Sequence, residues 1–507
     1  MEKKKAKNSK KSVKTTKVNK VVKEETKVEE VPVKKTAKKS NHQTFKVLAI
    51  VILVVALLTW FIKGGTWDFT SSDAISYVAN EEATRTGIHE LFLSVYYAIN
   101  YYLIQIVFLA ILGIFYGVIS KTNGYKAMVK KIANLFKGKT IAFTLIISLL
   151  IAVLTSIITQ PIVVITFIPL LYSVAKELKI NKVSAMMMTF GALAVGLMGT
   201  TIGTYGLYYA GSYMGVEIAS TMAYRLIILL AAYITLNVFV ILYNKKHSNA
   251  EIIEETFEVV EEDKKAKSWP YFVMFGVLFV LVVLGYIGWS SVLGIEVFDN
   301  FHEWLTTKVV IGSKSTPIFG NILGKVSAFG SWDPYAISYI MLIILVLTKF
   351  IARIKWDELL DNALVGLKKM AKPIALVALA YSVFVLCYWS GITTTIVNFF
   401  NQGENFNPYF TTIGNLIADF LHVDMEYTGF VLGSFYAAKY ASYTEQIMAI
   451  LAATNGLIEF IAPTSVFMLI GLSLSKLSYK EYAKSIWKFL VALLIVVCLI
   501  LTVITYL

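Results

Sequence analysis

From Phe45 onward the chain alternates long apolar runs with short polar ones, and the apolar runs differ in kind. Phe45–Phe61, Tyr101–Ser120, Ile218–Tyr243, Tyr271–Trp289, Tyr335–Ile351, Pro373–Trp389 and Ile486–Tyr506 are long enough to cross a bilayer as helices. A crossing needs roughly 17–25 apolar residues for a hydrocarbon core about 30 Å thick. Two other regions break that pattern. IAFTLIISLLIAVL and IVVITFIPLLYSVA flank the polar TSIITQP, and two short arms within Tyr409–Tyr443 flank VDMEYTG. An arm of about 14 residues rises only about 21 Å, short of a crossing.

Charge decides how these short pairs lie. Lys121–Lys139 and KELKINK bracket the first pair, whereas uncharged or acidic loops bracket the second. Basic loops stay on the cytoplasmic side. The pattern therefore predicts two re-entrant hairpins entering from opposite faces, the first with its tip at Thr155–Pro161. A kinked pair of ordinary helices is the alternative for the first. Two further runs interrupt themselves: Ser184–Tyr205 with GALAVGLMGTTIGTYG, and Ile447–Leu474 with NGLIEFIAPTS. Each unsatisfied backbone group in lipid costs several kcal/mol, so such breaks belong in a cavity or inside protein. Tight packing of small residues accounts for the glycines equally well.

Both halves read span, span, hairpin, broken span, span, the first starting inside and the second outside. That predicts an all-α polytopic membrane protein with inverted-topology repeats, the layout of secondary transporters. Its divisions are a tail, 1–44; a first membrane repeat, 45–243; a charged linker, connecting helix and outer loop, 244–334; and a second repeat, 335–507. KTNGYKAMVKKIANLFKGK and WDELLDNALVGLKKMAK have the rhythm of amphipathic surface helices. EIIEETFEVVEEDKKAK reads as a solvated linker.

Composition agrees with this reading. The 507 residues are 57% hydrophobic and 16% charged, against about 45–50% and about 25% in soluble domains. The net charge of +14 is mostly local, because residues 1–45 hold 15 Lys and 5 Glu. That tail reads as a disordered cytoplasmic arm and not as a nucleic-acid surface or a secretory leader. Two cysteines and five scattered histidines give no disulfide framework and no metal site, and no phosphate-binding loop or HExxH occurs. The chain is therefore expected in the plasma membrane, multi-pass, with its N-terminus in the cytoplasm.

The tips and breaks carry the candidate site. Thr155, Ser156, Thr159 and Gln160 lie at the first tip, with Gly199, Thr200 and Thr201 in the neighbouring break. Hydroxyls, an amide and free N–H groups at half-helix N-termini suit a carboxylate, although hydroxyls in helices often bond their own backbone. The second half carries Asp419, His422, Asp424, Glu426 and Lys439 in its hairpin. Its break carries Asn455, Gly456, Glu459, Pro463, Thr464 and Ser465. Ionisable groups at membrane depth are functional candidates. Glu459, Asp424 and Glu426 are the expected ion-coupling residues, for Na⁺ or H⁺. A pairing of Glu459 with Lys439, or an outer loop at Asp419–Glu426, are the structural alternatives.

IMAILAATNGLIEFIAPTSVFMLIGLSLSKLSYKEYAKSIWKF and TSIITQPIVVITFIPLLYSVAKELKI resemble the anaerobic C4-dicarboxylate carrier family and its YfcC-like relatives, in the ion-transporter superfamily. Asn455 stands where the family pattern has an acid and Glu459 where it has an amide. Thr159 and Gln160 stand where relatives usually carry acids. The resemblance implies an elevator-type carrier for a dicarboxylate, short-chain acid, or amino acid, working as a symporter or exchanger. It also implies a small-molecule substrate, a homodimer formed through a scaffold, no prosthetic group and no enzymatic activity. A basic amino-acid or peptide transporter, or a receptor or assembly protein on the same fold, is the alternative.

Overall fold

The computed structural model describes residues 42–68, 76–247, 249–259, 266–307, 309–311, 314–324, 326–421 and 424–506. Nearly all of the Lys-rich tail lies outside them, as does His422 at the second tip. The first half runs α1 (Gln43–Phe61), a small antiparallel pair β1 (Gly65–Asp68) and β2 (Ser76–Ala79), α2 (Ile88–Tyr101), α3 (Leu103–Ile119) and α4 (Asn123–Leu135). It continues with α5 (Thr140–Ile157), a 3-10 turn (Pro161–Phe167), α6 (Ile168–Glu177) and α7 (Lys182–Met186). A π turn (Met187–Gly191) leads into α8 (Ala192–Met198), then α9 (Tyr208–Met214) and α10 (Met222–Lys246).

After the linker come α11 (Trp269–Tyr286), α12 (Val297–Thr306), a second antiparallel pair β3 (Val309–Ile311) and β4 (Lys314–Thr316), and α13 (Ile318–Leu323). The second half is α14 (Pro334–Ala352), α15 (Trp356–Ser390), α16 (Ile392–Phe400), α17 (Pro408–Leu421), α18 (Met425–Lys439), α19 (Thr444–Ile458), α20 (Val466–Ser475) and α21 (Tyr479–Tyr506). Among the described residues seven helices are long and apolar enough to span, and the bent pair α2–α3 makes an eighth. Apolar side chains on α1, α10, α11, α14 and α21 point outward, as a lipid-facing belt must. The short pieces α7, α8, α19 and α20 lie almost wholly buried inside that ring.

Three expectations need correction. WDELLDNALVGLKKMAK is no separate surface helix, because α15 runs unbroken for 35 residues through Pro373. Its first half is clamped to α3: side chains at Gly113, Gly117 or Gly366 would collide with the facing backbone, so small residues permit the close crossing. The Tyr101–Ser120 span is preceded by helix too, with a 70° bend at Tyr102 between α2 and α3. The charged linker is packed rather than solvated. Ile253 and Phe257 are buried, and Phe257 stacks on Tyr116 with centroids 5.5 Å apart. Glu251, Glu255 and Glu258 pair with Lys182 (2.8 Å), Lys176 (2.9 Å) and Lys121 (3.0 Å), and Glu254 pairs with Lys476.

The first short pair is a hairpin, although its outgoing arm α5 has 18 residues and not about 14, since the apolar run continues into Thr155–Ile157. Lys126 of α4 reaches Glu177 at the end of α6 at 2.6 Å, so the chain leaves and returns at one end. The second pair, α17–α18, also closes on its own feet. Lys439 donates to the Asn401 carbonyl, and Phe406 stacks on Tyr443 at 4.6 Å. Helix α10, whose 25 residues rise about 37 Å, separates the two pairs of feet. Asn181, beside the first foot, donates to Asn244 at its far end, 2.6 Å away. Met448, one turn beyond the second foot, packs with Ile218 near its start. The hairpins thus enter from opposite ends.

Candidate functional site

The second hairpin and second break form one polar cluster. Asp419 on α17 is 1% exposed and faces Asn455 on α19. With its amide oriented to satisfy both groups, Asn455 donates to the two Asp419 carboxylate oxygens at 3.2 and 3.3 Å, and to the Leu451 carbonyl. Glu459, which ends α19, is buried and accepts from the Ser465 hydroxyl. The same hydroxyl caps α20 by accepting from the Met468 N–H at 3.0 Å, as expected for serine at a helix start. Thr464 donates to the Phe420 carbonyl and ties the break to α17. Asp424 caps α18 through the N–H groups of Glu426 and Tyr427, and accepts from the Tyr102 hydroxyl at 2.8 Å. Glu426 lies in the first turn of α18, beside it. Asp419 is thus packed inside the protein and Asp424 is tied to α3, while Lys439 stays at the feet, bonded to Asn401 instead of Glu459.

The first hairpin and first break join without carboxylates. The Ser156 carbonyl accepts from the N–H groups of Thr201 (2.8 Å) and Gly203 (3.0 Å), and from the Thr201 hydroxyl at 3.1 Å. Thr159 donates its N–H to the Tyr286 carbonyl at 2.7 Å, which pins the tip to the end of α11. Thr155 packs against Gly196, and Gly199 against Leu229. Thr200 bonds the Leu197 carbonyl of its own helix at 2.8 Å. Gly456 likewise serves a helix crossing, against Met198 and Ala194. Gly199 and Gly456 thus sit at close helix crossings, whereas the buried Thr155 hydroxyl has no hydrogen-bond partner among the described residues. Pro463 is buried within the second break.

Arg225, absent from the expected site, organises the first break. It is fully buried and donates to the carbonyls of Thr200, Thr201 and Ile218 and to the Thr221 hydroxyl. Thr200 and Thr201 lie in the non-helical stretch after α8, where no helical N–H meets their carbonyls. A lone arginine near the start of an apolar span was the available signal.

The halves meet at a small cavity of about 20 Å³, lined by Gln105, Gln160, Ile162, Tyr205, Tyr381, Val466 and Phe467. The first tip supplies Gln160, the first break Tyr205, and the N-terminus of α20 Val466 and Phe467. Helix α3 supplies Gln105 and α15 supplies Tyr381. Tyr102 stacks flat on Tyr381, with centroids 3.4 Å apart, and so links this wall to Asp424 at the second tip. A roomier cavity lies between α11, α12 and α14, but it is mostly apolar and remote from both breaks. Among the described residues no cluster of three His, Cys, Asp or Glu is arranged to hold a metal ion.

A polytopic helical membrane protein whose oppositely inserted hairpins and broken helices close around one polar junction has the build of a membrane carrier. The chain belongs to the C4-dicarboxylate anaerobic carrier family, which matches residues 41–506, and it is a carrier and not an enzyme. Among solved structures it is similar to the Alcanivorax borkumensis YdaH transporter, whose structure was reported to reveal an unusual topology. The two are 12% identical with a TM-score of 0.41, over 92% of this chain and 98% of that one. No curated protein matches the chain.

Proposed function

We propose that this chain is a secondary active transporter of a small carboxylate-bearing metabolite, C4-dicarboxylates first, driven by an ion gradient or by exchange. The observation that carries this reading is the junction itself. Hairpins with feet at opposite ends bring the first tip, the first break and the N-terminus of α20 to one small cavity, which α3 and α15 complete. Movement of the hairpins and broken helices as a unit against α3 and α15 would open that cavity to one side and then the other. Val466 and Phe467 place the positive end of α20 at the cavity, where a substrate carboxylate gains from the helix dipole. Gln160 adds an amide donor.

The surrounding charge supports coupling. Asp419, Asp424, Glu426 and Glu459 all lie on the second-half side. Two like unit charges 4 Å apart repel by about 4 kcal/mol at an effective dielectric constant of 20. A dianion would enter such a site only together with H⁺ or Na⁺, so Glu459, Asp424 and Glu426 are assigned the coupling role. The same acidity favours a second reading, an amino-acid substrate whose ammonium supplies the compensating charge. The setting is the plasma membrane, with the N-terminus cytoplasmic and the chain homodimeric.

Thermal stability of the purified protein tests this against dicarboxylates, short-chain acids, acidic and basic amino acids and small peptides. Each is offered with and without Na⁺, at two pH values. A ligand at 100 times its Kd stabilises by about 2.7 kcal/mol. Stabilisation by C4-dicarboxylates that grows with Na⁺ or with acidity supports the first reading. Stabilisation by amino acids alone selects the second. A flat response across the panel overturns both.

A further inference from the structure

The start of α3 faces both hairpin tips with two polar side chains one helical turn apart, Tyr102 and Gln105. The first is fully partnered: its hydroxyl donates to Asp424 and its ring stacks on Tyr381. The second is not. The Gln105 side-chain carbonyl is buried and has no hydrogen-bond partner among the described residues, and the side chain lines the same cavity as Gln160, Tyr205 and Tyr381. Buried acceptors are almost always paired, and an orphan costs free energy that nothing else in the fold returns. Its sequence neighbours, Leu103, Ile104, Ile106 and Val107, show that apolar residues suit this stretch of α3, so packing does not require an amide there.

We propose that Gln105 determines substrate specificity, its side-chain carbonyl accepting a hydrogen bond from a hydroxyl or ammonium group of the substrate. This rests on the carrier reading above and adds to it the substrate class: a carboxylate that also bears a donor, in preference to the unsubstituted acid. The α20 N-terminus and Gln160 hold the carboxylate from the hairpin side, while Gln105 reads the substituent from α3. A site built to bond such a group rejects the analogue lacking it, because the acceptor is then left buried and unpaired.

The test uses three four-carbon dicarboxylates on one skeleton: succinate without a donor, malate with a hydroxyl and aspartate with an ammonium. Affinities are measured by titration of the full chain in detergent, for wild type, Gln105→Leu and Gln105→Glu. Wild type is expected to bind malate or aspartate roughly tenfold tighter than succinate. Gln105→Leu is expected to erase that preference by weakening the substituted ligand at least about fivefold more than succinate. Its ligand-free melting temperature should not fall, since the lost carbonyl had no protein partner. Gln105→Glu keeps an acceptor and should retain aspartate over succinate. Equal weakening of all three ligands in Gln105→Leu, or none, overturns the proposal. So does a fall in ligand-free stability with the preference intact, which would mark a structural bond to water. Equal wild-type affinity for all three overturns the proposal alone, whereas no binding to any of them also overturns a C4-dicarboxylate substrate.

Discussion

The two helix breaks occupy corresponding places in the two halves and are held by opposite chemistry. At the first, α8 ends at Met198 and the Thr200 and Thr201 carbonyls of the non-helical stretch beyond it are gathered by the buried cation Arg225. The tip beside it contributes the Ser156 carbonyl, bonded by Thr201 of the break, and the Gln160 amide, but no carboxylate. At the second, α19 ends at Glu459, a buried acid tied to Ser465, and the neighbouring hairpin brings Asp419 and Asp424. One architecture therefore serves two tasks. A guanidinium bonded to three carbonyls has donors only and offers a cation no ligand, so the first break is a fixed wall. Carboxylates titrate and bind cations, so the second break is the side able to respond.

The largest effect should come from the fixed wall. Arg225→Met leaves the Thr200, Thr201 and Ile218 carbonyls without their donor. Removing one member of such a buried charged network costs about 3–5 kcal/mol. Thermal unfolding in detergent should show a severe loss, and a near-native melting temperature would refute the structural role given to Arg225.

Glu459→Gln should do the reverse. Its amide oxygen still accepts from Ser465, so stability should change by about 1 kcal/mol or less. Uptake driven by a H⁺ or Na⁺ gradient should fall roughly tenfold or more, the size of a typical coupling free energy, while exchange without a gradient persists. If ion dependence in proteoliposomes is unaltered, Glu459 has no part in coupling and the contrast between the breaks loses its functional meaning.

The smallest effect separates the hairpin feet. Those of the first are held by ion pairs, to the linker through Lys176 and Glu255 and to α4 through Lys126 and Glu177. Those of the second rest on Asn401, Phe406 and Tyr443. Exposed pairs contribute at most about 1 kcal/mol each and weaken as the screening length falls to about 3 Å at 1 M salt. Hydrogen exchange over 176–182 and 251–259 should therefore quicken in high salt, and that over 401–410 should not. Acid should act similarly. Lys476 holds the Glu254 carboxyl below its ordinary 4.5, so this contribution is present at neutral pH and is lost as pH falls through the lowered value. Equal responses at both pairs of feet would contradict the difference.

Much of this was legible in the sequence because the bilayer is a strict solvent. Run lengths and Lys placement located the spans, both hairpins and both breaks, since lipid forbids unsatisfied backbone and basic loops resist translocation. The carboxylates were visible as charges in apolar surroundings. Less legible was what each polar residue faces. Gly199 and Gly456 read as ligand groups but sit at close helix crossings, because small residues suit both uses. Gln105, Tyr102 and Arg225 passed as ordinary span residues because their meaning depends on partners far along the chain, such as Asp424, 322 positions from Tyr102.

The sequence by itself determined a helical membrane body, its two hairpins, its two breaks and the acidic character of the second. Only the tertiary structure decided that WDELLDNALVGLKKMAK continues into a 35-residue helix clamped on α3, and that the charged linker is packed across the feet of the first hairpin. It alone placed Gln105, Gln160 and Tyr205 around one cavity. The physical reason is range. Hydropathy and charge act residue by residue against the solvent, whereas a close helix crossing or a hydrogen bond across the junction exists only once both surfaces are in place.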